Sequence, residues 1–170
     1  ALGRMSHENI AVANDSITAY EGEDAGSGCL YKFVANTPGD LSTGTLYALQ
    51  LTGGLTNGEP NSTVGKWIQI PNSTIADRNS TRSLALSLGA TPFNGIEDAE
   101  IGTVDGKIYF TSKGFARVYR FSDDSDSTIS AFETFVGGPT SYLINYGNGI
   151  AAENWGSGND NLCFDNLGNL

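Results

Sequence analysis

The sequence predicts an all-β protein: antiparallel meander blades of a β-propeller, with one short helix. Three observations carry this expectation. Short runs rich in β-branched and aromatic residues recur along the 170 residues, each closed by Gly, Asn, Asp or Pro. Turn signals fall between those runs. An aliphatic–Tyr pair then repeats inside four of them, at Leu30-Tyr31, Leu46-Tyr47, Ile108-Tyr109 and Val118-Tyr119, the kind of internal repeat a bladed architecture leaves. At roughly 40–50 residues per blade the chain holds about three to four blades, where a closed ring has roughly four to eight. The expected architecture is therefore an incomplete ring, with a minimal ring as the alternative, residues 1–170 forming a single propeller-like domain or part of one. A β-sandwich can also be built from seven short strands, but it explains less well why polar, acidic loops recur all along the chain.

In chain order, two weaker runs come first, at residues 9–13 and 16–20, separated by Asn14-Asp15. Runs at 30–34, 45–51 and 66–70 follow. The one helical stretch is expected at 80–88, capped by Asn79 or Ser80, with Leu84, Leu86 and Leu88 as its apolar mass. Residues 100–104 and 107–111 flank Asp105-Gly106, the composition of a type I′ hairpin turn. The Gly-containing loop 112–116 leads to strands at 117–121 and 130–136. The start, Ala1-Leu2-Gly3-Arg4, has neither an initiator Met nor an apolar signal region, as expected of a processed or truncated chain. The end, residues 165–170, reads as a turn entering a further strand.

Acidic residues outnumber basic ones 19 to 9, giving a net charge of −10 and a pI near 4.3. Such a chain is not expected to coat nucleic acid, which needs clustered Lys and Arg. It has no polybasic segment to hold an anionic membrane and no apolar run long enough for a membrane-spanning helix. Cys29 and Cys163 are the only cysteines, read as two buried thiols or as one bridge joining the ends of the chain. Four Asn-X-Ser/Thr triplets, at Asn14, Asn61, Asn72 and Asn79, would accept glycans in a secreted eukaryotic protein.

The acids are grouped. Glu21, Glu23 and Asp24 end one run; Glu97, Asp98 and Glu100 stand together; Asp123, Asp124 and Asp126 follow another strand; Glu153, Asn154, Asp160 and Asn161 lie in a Gly-rich stretch. Carboxylates and amide oxygens grouped on loops are hard-ligand material suited to calcium, although acid-rich loops are also ordinary solvated surface. The 123–126 run lacks the Gly and closing Glu of an EF-hand and reads as a turn. His7 is the sole histidine and reads as a hydrogen-bonded structural residue. No nucleophile elbow, P-loop or dinucleotide fingerprint occurs in a strand-to-helix context.

In this order the pieces resemble the PhoX-type alkaline phosphatases, exported calcium- and iron-dependent β-propellers. The likeness runs through Gly3-Arg4-Met5-Ser6-His7-Glu8, Tyr20-Glu21-Gly22-Glu23-Asp24, Leu30-Tyr31-Lys32-Phe33-Val34, Gly44-Thr45-Leu46-Tyr47, Phe93-Asn94-Gly95-Ile96-Glu97-Asp98, Gly106-Lys107-Ile108-Tyr109-Phe110, Asp160-Asn161-Leu162 and Asp165-Asn166-Leu167-Gly168-Asn169-Leu170. It implies a phosphoester hydrolase whose carboxylates hold metal, working on a phosphoester small molecule outside the cytoplasm, extracellular or periplasmic. By position the implied metal ligands are Glu8, Glu23, Asp24, Glu97, Asp160 and Asn161, and the phosphate contacts Arg4, Lys113 and Arg117. Two departures stand out. Gly95 replaces the Arg of the family's F-x-R-P-E-D stretch, and the family's iron-binding Cys belongs to a segment upstream of G-R-x-S-H-E. The chain is then a fragment of an active enzyme, a non-catalytic extracellular propeller for binding or assembly, or a calcium-dependent lactonase-like hydrolase. Open sheet edges are also expected to recruit strands from the rest of the chain or from another subunit.

Overall fold

The structure, a computed structural model, describes residues 2–125, 127–138, 141–145, 147–156 and 159–170. Asp126 and the Ser157-Gly158 part of the Gly-rich stretch lie outside the described residues. The strands are β1 (His7–Val12), β2 (Thr18–Glu23), β3 (Leu30–Thr37), β4 (Asp40–Leu51), β5 (Leu55–Thr56), β6 (Glu59–Pro60), β7 (Gly65–Ile70), β8 (Ala99–Ile101), β9 (Ile108–Ser112), β10 (Arg117–Asp123), β11 (Thr128–Gly137), β12 (Ser141–Asn145) and β13 (Ile150–Asn154). Two helices, α1 (Ile75–Asn79) and α2 (Thr81–Ser87), separate β7 from β8.

Nine strands join one antiparallel sheet in the order β1-β2-β3-β4-β7-β11-β10-β9-β8, while β5–β6 and β12–β13 form two small ribbons. The all-β expectation therefore holds, and the sheet consists of two four-stranded meanders, β1–β4 and β8–β11, linked through β7. That link is narrow on one side: β7 meets β11 through Lys66–Thr128 and Gly65–Ile129 pairs. The sheet curls until its two edges face each other, giving a nearly closed, propeller-like fragment. Because every neighbour in the sheet is antiparallel, the two edge strands, β1 and β8, run in the same direction.

The recurring aliphatic–Tyr pairs have a physical meaning here. Neighbouring residues on a strand point to opposite faces, so two apolar neighbours mark a strand covered on both sides. Leu30 lies in one core with Leu49, Leu51, Trp67, Phe110, Tyr119 and Phe121. Tyr31 lies in another with Phe33, Leu46, Ala48, Ile70 and Ala85. The first core fills the curl of the sheet with aromatic contacts, among them Phe93 edge-on to Phe110 at 4.9 Å and Phe121 stacked with Phe132 at 5.8 Å. The second lies beneath α2.

Several expectations change. The expected helix is α2, but its buried residues are Thr81 and Ala85, one turn apart, while Leu88 is an exposed C-cap. A second helix, α1, stands where loop was expected, started by a capping box between Thr74 and Asp77. Asp105-Gly106 does not form a two-residue type I′ turn. Residues 102–107 make a wider loop closed by Gly102 N–H donating to the Lys107 carbonyl at 2.8 Å, and Asp105 does not adopt the positive φ that such a turn requires. The β12–β13 ribbon was not anticipated. Residues 165–170 form a turn pinned by Asp165, which accepts from Leu167 N–H at 2.9 Å and Asn169 N–H at 2.8 Å. Both cysteines are free, Cys29 buried and Cys163 exposed, so the pair is neither bridged nor jointly buried. Among the described residues no helix is long and apolar enough to cross a membrane.

Candidate metal centre

One end of the sheet collects the acids. Glu8 lies near the start of β1, Asp24 directly follows β2, and Glu97 comes from the loop between α2 and β8. Backbone hydrogen bonds lace that loop between β2 and the β9–β10 turn. Gly95 N–H donates to the Ala25 carbonyl at 2.9 Å and Lys113 N–H to the Gly95 carbonyl at 2.8 Å; Asp24 N–H donates to the Ser6 carbonyl at 3.0 Å. As a result Glu8, Asp24 and Glu97 each place a carboxylate oxygen within 4.8 Å of the others. Glu8 and Asp24 are exposed and Glu97 is buried. Lys113 Nζ lies 3.2 Å from Glu97 Oε1 and 3.7 Å from Asp160 Oδ2, drawing Asp160 to the same group. The first distance fits an ion pair, yet its angles do not make a hydrogen bond, so Glu97 Oε1 is buried without one. Burial pushes the Glu97 carboxyl above the ordinary carboxylate range; Asp24 and Asp160 add to this and Lys113 opposes it.

Gly95 sits against this group. Its φ is +65°, and a Cβ there would lie 3.3 Å from Asp24 Oδ1 and 3.5 Å from Glu97 Oε1. A side chain at this position would enter the space between the carboxylates, which the glycine leaves open.

Behind the exposed acids stands a second, buried pair. Glu21 and Glu23 lie two apart on β2 and are almost fully covered. Glu23 Oε2 accepts from Tyr31 Oη–H at 3.0 Å and from Cys29 N–H at 3.4 Å, while Arg82 Nε lies 3.0 Å from Oε1 without hydrogen-bond alignment. Glu21 pairs with His7 Nδ1, whose Nε2 is 3.1 Å from the Gly3 carbonyl. Burial raises the Glu21 carboxyl, with His7 opposing. It also pushes the Cys29 thiol up to about 12, helped by the Glu23 charge. Glu21 Oε2, Glu23 Oε1 and Glu97 Oε1 are thus buried carboxylate oxygens without a hydrogen bond among the described residues.

The expected site residues are divided by the structure. Glu8, Asp24, Glu97, Asp160 and Lys113 come together. Glu23 belongs to the buried pair. Asn161 is exposed and lines a separate pocket with Asp160. Arg4 is exposed, with its backbone N–H on the Arg78 carbonyl at 2.7 Å. Arg117 is buried and engaged elsewhere, its Nε and Nη2 on Glu59 Oε1 at 2.9 and 2.8 Å, which ties β6 to the sheet. Asp123, read as part of a turn, is the last residue of β10 and holds Lys32, Trp67 and Tyr20. His7 is hydrogen-bonded as expected, though on a buried acid. Two participants lie outside the implied ligand set. Glu21 stands in the first acid group, at period two from Glu23 on a strand. Arg82 had no signal in the sequence, because only the docking of α2 brings it to Glu23.

A family profile described as alkaline phosphatase PhoX matches residues 1–170. No curated protein matches the chain. Among solved structures the chain is similar to Pseudomonas fluorescens PhoX in complex with vanadate, a transition state analogue, with a TM-score of 0.73 and 22% identity over 98% of this chain. The match spans 38% of that protein's chain, and at this identity it carries the fold alone. With the profile covering its whole length, the chain belongs to the PhoX alkaline phosphatase family.

Proposed function

We propose that these residues supply calcium ligands and a phosphate contact to an exported phosphomonoester hydrolase of the PhoX type. The carrying observation is Glu97 Oε1, a buried carboxylate oxygen without a hydrogen bond, facing Glu8 and Asp24. Lys113 Nζ, 3.2 Å away and half exposed, offsets this charge only in part, and three clustered carboxylates held by one ammonium still favour a further cation. The donor set is all oxygen, which suits calcium. Calcium bound there would polarise phosphoryl oxygens and reverse a local field that otherwise repels phosphate. Glu8, Asp24 and Glu97 are its ligands, with Asp160 at the rim. Lys113, half exposed between Glu97 and Asp160, donates to a phosphoryl oxygen. Glu21 and Glu23, held by His7, Tyr31 and Arg82, fix the end of β2 from which Asp24 projects. The net reaction adds water across the P–O bond and releases an alcohol and inorganic phosphate. Iron, implied by the family resemblance, would draw on a cysteine outside these residues, since neither Cys29 nor Cys163 joins the Glu8–Asp24–Glu97 group.

Gly95 favours a second reading, a propeller that binds calcium but does not turn over phosphoesters. The family's Arg at this position would add a bidentate phosphate contact, and here Lys113 offers a single ammonium instead. Calcium calorimetry beside a phosphomonoesterase assay separates the two. Calcium binding with calcium-dependent turnover supports the hydrolase, calcium binding without turnover selects the second reading, and no calcium binding overturns both.

A further inference from the structure

The pocket lined by Asn161 and Asp160 adjoins the acids, walled by β10, β11, Trp155 and residues 159–163. It is an open groove of about 580 Å³, apolar along Val118, Phe135, Val136, Trp155 and Leu162 and polar along the facing residues 159–161. That volume lies inside the range of about 300–1,000 Å³ typical of small-molecule sites, which are mostly apolar with a few placed polar groups. Asn159 is such a group. Asn159 Oδ1 accepts from Trp155 Nε1–H at 2.7 Å, which fixes the amide, and its Nδ2 is buried with no hydrogen-bond partner among the described residues.

The pocket and the acid group share walls. Asp160 lines the pocket and also reaches Lys113 at 3.7 Å. Thr111 lines it too; its hydroxyl accepts from the Glu97 and Asp98 N–H groups at 3.3 and 3.0 Å and donates to the Asp160 carbonyl at 3.2 Å.

We infer that this pocket binds the alcohol half of the substrate, a flat, apolar and preferably aryl body carrying a hydrogen-bond acceptor for Asn159 Nδ2. Describing that body as one half of a phosphoester rests on the proposed hydrolase; its binding to the pocket does not. In hydrolysis the oxygen of water joins phosphorus, the ester P–O bond breaks, and the departing aryl oxygen takes a proton and remains in the pocket as a phenol.

The chain carries its own reporter. Cys163 is exposed and lines this pocket, whereas Cys29 is buried with its thiol pushed up to about 12. Alkylation of the calcium-supplied protein by iodoacetamide should therefore fall on Cys163. Phenol at ten times its Kd should slow that alkylation about tenfold by occupancy, and phenyl phosphate should do the same. Glycerol and inorganic phosphate should not. Val136→Glu, which puts a charge on the pocket wall, should abolish the protection. Trp155→Ala, at an exposed position, should weaken it even if the first variant fails to fold. An unchanged alkylation rate at saturating phenol overturns the inference. Absence of calcium binding and of phenyl phosphate turnover, with phenol protection intact, overturns the hydrolase reading and leaves the pocket standing.

Discussion

Asp123 and Glu97 are both acids withdrawn from water, and the protein treats them in opposite ways. Asp123 is complete: Trp67 Nε1–H donates to Oδ1 at 2.8 Å, Tyr20 Oη–H to Oδ2 at 2.5 Å, and Lys32 Nζ lies 2.6 Å from Oδ2. Lys32 is itself covered and sits 5.5 Å from the Trp67 ring. At the other region, Glu8, Glu21, Glu23, Asp24, Glu97 and Asp160 share His7, Arg82 and Lys113 as their cationic partners among the described residues, and three buried oxygens there have no hydrogen bond. The first arrangement is a finished internal ion pair that fastens β3 to β10. The second is left short of positive charge. Covered carboxylates that outnumber their cationic partners are disfavoured, so the contrast points to a cation supplied from outside.

The largest test of that contrast is Lys32→Ala. It strands Asp123 in a covered site and should cost about 3–5 kcal/mol of stability, read by denaturant unfolding, while calcium affinity stays unchanged. The same amide substitution should then act with opposite sign in the two regions. Asp123→Asn disrupts a satisfied network and should cost about 1–3 kcal/mol. Glu97→Gln removes an incompletely compensated charge and should leave the metal-free protein at equal or greater stability, yet weaken calcium about tenfold, or about 1.4 kcal/mol. Equal stability losses in the two variants would erase the distinction.

Titration sharpens it further. Burial raises the folded-state carboxyls of Glu97 and Glu21 above their ordinary 4.5. A raised folded pKa contributes stability that is fully present below the unfolded pKa and is lost as pH rises through the folded value. The metal-free protein should therefore grow more stable as pH falls from neutral toward 4.5. Asp15 and Asp165, held below 3.8 first by hydrogen bonds to Thr18 and Asn169, reverse the trend only at lower pH. Calcium should flatten the neutral-to-4.5 slope, as thermal melts across pH would record. Gly95→Ala tests the open space itself. At φ +65° a side chain costs about 1–2 kcal/mol, and its Cβ crowds Asp24 Oδ1 at 3.3 Å. Unfolding and calcium affinity should shift together.

Much of this was legible along the chain. Runs such as Leu30–Phe33 were recognisable as strands because both faces are buried, which leaves neighbouring apolar residues and little else. That Glu8, Asp24, Glu97 and Asp160 lie at one end of the sheet was legible through motif order. The rest depends on long-range pairing that no local pattern carries. Arg117 reads as a free cation until β6 brings Glu59 to it, and Arg82 reads as helix surface until α2 docks beside Glu23. The wider 102–107 loop overrode its Asp-Gly signal because Asp105 caps Lys107 N–H at 3.1 Å and accepts from Tyr109 Oη–H at 2.8 Å. The capping box of α1 was readable from Thr74 and Asp77, but it opens a helix of only five residues, too short for a periodic signal.

The most direct test is a thermal melt of protein stripped of metal, with and without calcium, for the wild type and Glu97→Gln. Calcium at one hundred times its Kd should stabilise the wild type by about 2.7 kcal/mol, several degrees for a chain of this size. At the same calcium concentration the Glu97→Gln variant, with its affinity about tenfold weaker, should be stabilised by only about 1.4 kcal/mol, about half the wild-type shift. A wild-type melting curve unmoved by excess calcium would contradict the account, leaving the open carboxylates of Glu97, Glu8 and Asp24 as solvated surface.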